Sequence, residues 1–492
     1  MLAFAYLLSY PLVIGRADES HFLYGARRVL EGQVIYRDFF EILTPLGYYL
    51  FAAAFRVAGT TLLAARTTIA LLESLGCAAL FVLARRLSGT LEASLLALVF
   101  VGLCVPAWPY ASPHWMSTAF GLLTAALLLA ERWEASPRGR PFAAGLLGGV
   151  ALCVQQQRGV FLAAWVPLAL VVLAYARPRD VRWRRLRTEI VWATAGGALV
   201  TVVVLGHAAW AATPAALVSA IYGFARSNYA PNTAGTIAWA EVVALTGGWI
   251  AYTWLPLLRI APLFLAVDAV ALARRFGRPW TRSELEHASL WLLALLMAVS
   301  IWYLPDAVHV NFVLPFLLLP AARLAHALRT WRGWARFPVG RVVVTAAGVA
   351  AVALVVKSAT NVVRAHASAP RRFDTAFGRL RGDEAMESLF RSVRDHLVAE
   401  PDRRRLLFSY PDDAWLYLAL GADDPTRFSV LVPSIFPPEL VAEATAALEA
   451  RRPGTVVLLT SFAGDVVART IDAHYEAVAD VPPYRIYVRP AS

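Results

Sequence analysis

The chain has 492 residues, of which 59% are hydrophobic and only 16% are charged, whereas soluble domains carry roughly 25% charged residues. Several stretches of about 18 or more residues without a charge exclude a soluble globular protein and predict transmembrane helices. The net charge of +12 does not indicate nucleic-acid binding, because the arginines lie in short clusters between apolar runs, as the positive-inside rule produces.

The apolar runs of the first 358 residues predict eleven membrane-spanning helices. If the N-terminus lies in the cytoplasm, every arginine cluster between these spans also falls on the cytoplasmic side, which supports the count. The spans are predicted near residues 1–15, 62–84, 90–107, 115–131, 141–156, 159–176, 190–211, 246–272, 287–304, 309–328 and 341–357.

Residues 45–58 are an apolar run that could form a twelfth span. A span here would move all later arginine clusters to the outer side. We therefore predict a helix that lies in the outer interface or is half inserted, which suits its two tyrosines and Arg56. The segments predicted on the outer side are then 16–61, 108–114, 155–159, 212–245, 304–309 and 359–492.

Residues 359–492 have dispersed charges and short apolar runs, and they predict a small α/β domain outside the membrane. Residues 404–410 and 454–460 are typical of buried strands, and 484–489 alternate like a final strand. Residues 437–451 have helical periodicity and begin with proline. The chain is thus divided into a membrane domain, 1–358, and an outer domain, 359–492.

The first outer loop, 16–61, carries the strongest functional signal. Asp18 and Glu19 follow the first apolar run directly. An ionised carboxylate at the membrane surface can take a proton from a hydroxyl group, as a sugar transfer without a covalent enzyme intermediate requires. The alternative is that the two acids only begin the following helix, where acidic residues are common.

Arg158 follows three glutamines at the outer end of a predicted span. A guanidinium group pairs well with phosphate oxygens, although an arginine that extends towards lipid headgroups has the same pattern. Asp306 and His309 flank the start of a later span. His309 can donate to a phosphate, or both residues simply mark a solvated helix start.

Two further outer segments hold polar candidates. Arg226 lies in 212–245, where it either binds substrate or belongs to an amphipathic interface helix. His114 ends the segment 108–114. The three cysteines lie in apolar stretches without the spacing of a metal site, and we read them as small buried side chains.

The first loop resembles that of the GT-C glycosyltransferases, such as protein O-mannosyltransferases and lipid A aminoarabinose transferases of the family-39 type. The resemblance lies in Asp18-Glu19, in residues 32–38 with Tyr36 and Asp38, and in Thr44-Pro45. Arg158-Gly159 and the order of spans and outer domain fit the same pattern. The resemblance implies a polytopic α-helical membrane protein of the GT-C fold, with Asp18 as catalytic base and Glu19 beside it.

The resemblance also implies the reaction. We expect an inverting glycosyltransferase of the bacterial inner membrane that moves a sugar from a polyprenyl-phosphate donor to an acceptor glycan, lipid or protein on the outer face. No metal cofactor is expected, because the second outer loop has His114 where many relatives have an acid. A transporter or lipid flippase, and a non-catalytic scaffold, are the alternatives. The residues expected to bind substrate are Arg158, His309, Asp306, Asp38, Tyr36, His114 and Arg226.

Overall fold

The computed structural model describes residues 1–16, 18–130, 136–229, 255–302, 307–330, 339–397 and 406–490. Within these ranges the chain is mostly α-helical up to residue 368, and it mixes strands and helices thereafter. The helices of the first part are α1 (Leu2–Leu7), α2 (Asp18–Leu30), α3 (Leu46–Ala58), α4 (Leu62–Leu87), α5 (Thr90–Ala107), α6 (Pro113–Leu128), α7 (Gly139–Val154), α8 (Gln156–Ala174), α9 (Arg179–Ala211), α10 (Pro214–Val218), α11 (Leu255–Ala273), α12 (Arg282–Ser300), α13 (Ala307–Thr330) and α14 (Val339–Ser368).

Six helices in the described ranges are long and apolar enough to cross a membrane: α4, α5, α8, α9, α13 and α14. Helices α6 and α7 have 16 residues each, which is below the length of about 20 that a straight crossing needs. The chain is therefore a multi-span helical protein, and the number of eleven crossings remains a prediction.

The predicted span over 1–15 does not form one continuous helix. Helix α1 has six residues and is about 9 Å long, so only the first part of the predicted span 1–15 is helical. Pro11 has no N–H group to continue a helix, and the carbonyl oxygens that follow it bond elsewhere. The Leu12 carbonyl accepts from the Arg381 N–H at 2.9 Å, and the Val13 carbonyl accepts from Arg66 at 2.8 Å.

Helix α3 covers the ambiguous run 45–58. Its 13 residues span about 20 Å, which is less than the thickness of the hydrocarbon core. Tyr48, Phe51 and Phe55 are buried on one face, whereas Arg56 is exposed. This amphipathic helix packs against α2, so the first loop forms a folded layer over the ends of the longer helices.

The C-terminal region contains the predicted strands and helix. Its strands and helices are β1 (Arg371–Thr375), β2 (Gly378–Gly382), α15 (Glu384–Asp395), β3 (Leu407–Tyr410), α16 (Trp415–Leu420), α17 (Pro438–Arg451), β4 (Thr455–Leu459), α18 (Val466–His474), β5 (Glu476–Val481) and β6 (Tyr484–Val488). The main sheet has the order β3-β4-β6-β5, with β3 and β4 parallel and the other pairs antiparallel.

The C-terminal region packs directly against α2. The rings of Tyr24 and Tyr417 lie 4.8 Å apart, and Trp415 belongs to the same hydrophobic core as Phe22. Arg27 donates to the carbonyl oxygen of Tyr417 at 3.0 Å and forms an ion pair with Asp423 at 2.9 Å. These contacts fix the orientation of α2, and hence of the residues at its N-terminus.

Candidate active site

Asp18 lies in the first turn of α2 and is exposed. Its negative charge is favoured there by the unpaired backbone N–H groups of the helix start. Asp18 lines a cleft of about 400 Å³, called the Asp18 cleft below. The cleft lies between the start of α2, the loop with Trp108 and Tyr110, and the C-terminal region, so an acidic side chain lines a space that can hold a ligand.

Glu19 is buried and connects three parts of the chain. Its carboxylate accepts hydrogen bonds from the N–H of Gly15 and the N–H of Ala111, both at 2.7 Å, and pairs with Arg66 of α4 at 2.9 Å. The residue next to Asp18 therefore ties the first loop to the second loop and to a long helix. These contacts are those of a positioning residue.

His21 joins the first loop to the C-terminal region. One ring nitrogen lies 2.7 Å from the hydroxyl of Ser429, and the other lies 2.9 Å from the carboxylate of Glu41. Tyr48 donates to the same carboxylate at 2.5 Å. Burial disfavours the imidazolium ion, but Glu41 and Asp18 outweigh it, and the pKa of His21 is raised.

Tyr36 and Asp38 build the turn that follows α2. Tyr36 is buried, has a positive φ of 71° and donates to the Leu43 carbonyl at 2.6 Å. Asp38 accepts from the N–H of Val34 at 2.7 Å and from Arg37 at 2.9 Å, and the contact with Arg37 lowers the pKa of Asp38. The polar atoms of both side chains therefore have partners within the loop.

Arg158, His114 and His309 lie together, and we call them the Arg158 cluster. Arg158 is buried in the first turn of α8, and its guanidinium contacts the ring of His114. The rings of His114 and His309 are 5.2 Å apart and nearly perpendicular. Phe312 supports the cluster, because His114 stacks on it at 4.7 Å and Arg158 lies 5.2 Å from its centroid.

The contacts of Arg158 indicate which ring nitrogen of a neutral His114 carries the hydrogen. Arg158 also donates to the carbonyl of His114 and to the hydroxyl of Thr118, both at 3.1 Å. A guanidinium group only donates, so the Nδ1 atom that it contacts accepts, and a neutral His114 carries its hydrogen on Nε2. The three acceptors just named are neutral groups that orient the guanidinium through hydrogen bonds.

Two further candidates lie elsewhere. Arg226 is exposed, donates to the hydroxyl of Tyr222 at 3.0 Å, and belongs to the π-helical segment Ser219–Tyr229. This placement is typical of a surface residue. Asp306 lies outside the described residues.

Sequence reasoning missed Asp412, which follows strand β3. Its carboxyl group is half-buried, and burial, with the nearby charges of Asp413 and Asp18, raises its pKa to about 6. Arg16 and His21 oppose the rise. Polar residues at the carboxyl end of a buried strand are a usual feature of sites in α/β folds, and that signal was available in the predicted strand 404–410.

The carboxylates of Asp38 and Glu41 in the first loop have hydrogen-bond partners within the protein. The Glu41 carboxylate is bonded to Tyr48 and His21, and the Asp38 carboxylate is bonded to Arg37 and Val34. Within the described ranges, no group of three or more His, Cys, Asp and Glu side chains is arranged to hold a metal ion.

Solved structures share this architecture over the whole chain. ArnT from Cupriavidus metallidurans bound to undecaprenyl phosphate superposes with a TM-score of 0.63 at 15% identity, covering 100% of this chain and 97% of ArnT. The Archaeoglobus fulgidus oligosaccharyltransferase complex with Zn and sulfate gives 0.56 at 13% identity, covering 97% and 71%. Neither a protein family model nor a curated protein sequence matches the chain.

These matches establish the class of the fold. The structural neighbours are GT-C glycosyltransferases, and the chain has the GT-C fold. The archaeal oligosaccharyltransferase AglB has also been solved with an inhibitory peptide and a dolichol-phosphate, and it matches with a TM-score of 0.52 at 12% identity over 99% of this chain and 73% of AglB. At such identities the likeness concerns the fold alone.

Proposed function

We propose that this chain is an inverting glycosyltransferase that uses a polyprenyl-phosphate sugar as donor and works on the outer face of the bacterial inner membrane. The observation that carries the proposal is the Arg158 cluster, which places a buried guanidinium and two imidazole rings together. Undecaprenyl phosphate and dolichol-phosphate bound to proteins of this fold give the proposal further support.

The Arg158 cluster suits the phosphate of the donor. A guanidinium group binds phosphate oxygens through charge-assisted hydrogen bonds. The Nε2–H of a neutral His114 is a further donor, and His309 is close enough to add another. As the bond to the sugar breaks, negative charge grows on the phosphate, so donors fixed in advance stabilise the leaving group.

Asp18 suits the role of general base. Its carboxylate accepts the proton of the acceptor hydroxyl while that oxygen attacks the anomeric carbon from the face opposite the phosphate. The carbon–oxygen bond to the phosphate breaks, and the polyprenyl phosphate leaves with the bonding electron pair. The sugar changes its anomeric configuration once, no covalent enzyme intermediate forms, and the proton remains on Asp18.

The link between the two groups supports a common reaction site. Glu19, next to Asp18, binds the N–H of Ala111, which is three residues before His114. The second outer loop therefore holds the proposed base and the proposed phosphate site in one framework. Tyr36, Asp38 and Arg226 have no contact with substrate in this proposal.

The proposal is tested with purified protein in proteoliposomes and a set of radiolabelled polyprenyl-phosphate hexoses and pentoses. Label that moves from the lipid to a water-soluble or lipid acceptor, with inversion at the anomeric carbon, is the expected result. Movement of intact donor across the bilayer without transfer would indicate a flippase. Absence of both activities, with the protein folded, would favour a scaffold.

The proposed topology has eleven spans, a cytoplasmic N-terminus and residues 359–492 on the outer side. Its support is the arginine pattern of the sequence. A phosphatase fused to the C-terminus should be active, and a fluorescent protein fused there should be dark. The opposite pattern would place the Asp18 cleft in the cytoplasm and contradict the outer-face reaction.

A further inference from the structure

The Asp18 cleft has three walls of different origin. One wall is formed by residues 13–16, Asp18 and Glu19 at and before the start of α2, the second by the loop with Trp108 and Tyr110, and the third by the C-terminal region. Its volume of about 400 Å³ falls within the roughly 300–1,000 Å³ of small-molecule sites. The C-terminal wall is formed by Ser368, Ala369, Gly382, Asp383 and Met386.

Aromatic side chains form the second wall. The rings of Trp108 and Tyr110 lie 5.1 Å apart at 89°, and both side chains are half-buried. The Trp108 carbonyl accepts from the indole of Trp115 at 2.8 Å, and the Arg66 guanidinium lies 5.4 Å from the Tyr110 centroid. These contacts hold the loop, so the aromatic surface at the cleft is fixed before a ligand arrives.

Carboxylates and a guanidinium lie on the walls beside these rings. Asp18 and Arg16 belong to the first wall, and Asp383 belongs to the C-terminal wall, where it caps α15 by accepting from Met386 at 2.8 Å. A carboxylate accepts up to four hydrogen bonds, and a guanidinium donates up to five. The cleft therefore offers aromatic surface together with groups that bind hydroxyls.

We propose that the Asp18 cleft binds a saccharide, and that the acceptor hydroxyl of the reaction belongs to a sugar ring. A sugar ring has an apolar C–H face that packs on aromatic rings and a rim of hydroxyls that donate to carboxylates. An acyl chain has no hydroxyls to donate to the carboxylates of Asp18 and Asp383, and covering polar groups without adding hydrogen bonds costs free energy. The inference rests on the proposed function, since it assigns the acceptor for the same base.

Three acceptors distinguish the possibilities: a neutral disaccharide glycoside, a hydroxyl-containing peptide and a long-chain alcohol. With one competent labelled donor, transfer to the disaccharide glycoside is expected. Transfer to the peptide or the alcohol alone would overturn the saccharide assignment but leave the glycosyltransferase intact. If the protein neither binds the labelled donor nor transfers its sugar to any of the three acceptors, the result would contradict the proposed function itself.

Substitutions at Trp108 test the aromatic wall. Trp108→Ala should raise the KM for the saccharide about tenfold, leave the affinity for undecaprenyl phosphate unchanged and weaken saturation-transfer NMR signals from the sugar C–H protons. Trp108→Phe should restore most of the binding and serves if the alanine variant does not fold. Trp183→Ala, which changes an exposed tryptophan on α9, is the matched control. An unchanged KM in folded Trp108→Ala would overturn the proposal.

Discussion

The segment 108–114 contributes Trp108 and Tyr110 to the Asp18 cleft and His114 to the Arg158 cluster, but the two sites have opposite chemistry. The cleft is open and acidic, with Asp18 exposed and Asp383 on another wall. The cluster combines a buried arginine with two half-buried histidines that pack on Phe312. A reaction between a neutral hydroxyl and a phosphate-linked sugar needs both kinds of environment.

The contrast matches the different functions proposed for the two sites. The negative charge of Asp18 in the cleft would favour loss of a proton from an acceptor hydroxyl. The positive charge of Arg158 in the cluster would stabilise the negative charge that grows on a leaving phosphate. Substitutions in the cleft should therefore change turnover and acceptor binding. Substitutions in the cluster should change donor binding.

Asp18→Asn should have the largest effect. The amide keeps the shape of the side chain but cannot take a proton, and general-base catalysis contributes roughly 10²–10⁴-fold to rate. Turnover in proteoliposomes should fall by about that factor, while undecaprenyl phosphate binds as before. Asp480→Asn, an exposed acid on β5, is the control. Near-normal turnover in Asp18→Asn would contradict the assignment of the base.

Arg158→Ala should weaken donor binding. A hydrogen bond to a charged group contributes about 1.5–3 kcal/mol, so the affinity for undecaprenyl phosphate should fall about 10- to 100-fold. Arg158→Lys should recover part of the loss, because lysine keeps the charge but not the planar fork. Arg469→Ala, on the surface of α18, is the control.

Undecaprenol, which lacks the phosphate, separates a phosphate contact from a contact with the lipid chain. Its affinity should be equal in Arg158→Ala and in the unmodified protein. A parallel loss for both lipids would show that Arg158 supports the fold of the lipid site and not the phosphate.

Glu19→Gln should reduce stability more than chemistry. Glutamine has one acceptor oxygen, so it cannot serve Gly15, Ala111 and Arg66 together, and a buried donor left without a partner costs about 1–3 kcal/mol. We expect a lower unfolding temperature and a smaller fall in turnover than in Asp18→Asn. Glu476→Gln on exposed β5 is the control. A fall in turnover as large as that of Asp18→Asn, with unchanged stability, would make Glu19 a participant in the reaction.

Local periodicity was sufficient to predict much of the fold. The strands at 404–410, 454–460 and 484–489 and the helix at 437–451 all form close to the predicted residues, because their burial pattern is a property of short segments. The span at 1–15 was predicted from hydrophobicity alone. Hydrophobicity does not reveal that the carbonyl oxygens of Leu12 and Val13 accept hydrogen bonds from Arg381 and Arg66.

The candidate site also has features that local sequence patterns predict and features that they do not. Arg158, His114 and His309 were each chosen from a local pattern, and the structure brings them together. Tyr36 and Asp38 lie in an equally suggestive motif, but their polar atoms are used within the turn. The ties of Asp18 to the C-terminal region were not predictable, because they join residues almost 400 positions apart.

Asp412 is the residue through which that long-range contact can be measured. Its carboxyl group faces Asp18, Arg16 and His21 from α2 and its start, Asp413 from its own loop, and Tyr484 from β6. Burial and the like charges of Asp413 and Asp18 raise its pKa from 3.8 to about 6. Below about pH 3.8 the carboxyl group is neutral in both the folded and the unfolded chain, so it does not change the free energy of unfolding.

Above about pH 6 the folded protein must keep this carboxylate ionised near Asp18, so the stability contributed by the group falls as pH rises between the two values. Asp412→Asn should therefore raise the unfolding temperature at pH 8 and leave it unchanged near pH 3.5. The gain is about 1 kcal/mol, reduced from the full effect of the shift because solvent screens a half-buried carboxyl. In an Asp18→Asn background the gain should shrink, since one of the like charges is gone. A gain that is equal at both pH values, or equal in both backgrounds, would show that Asp412 and Asp18 do not interact and that the C-terminal region does not contribute to the electrostatics of the Asp18 cleft.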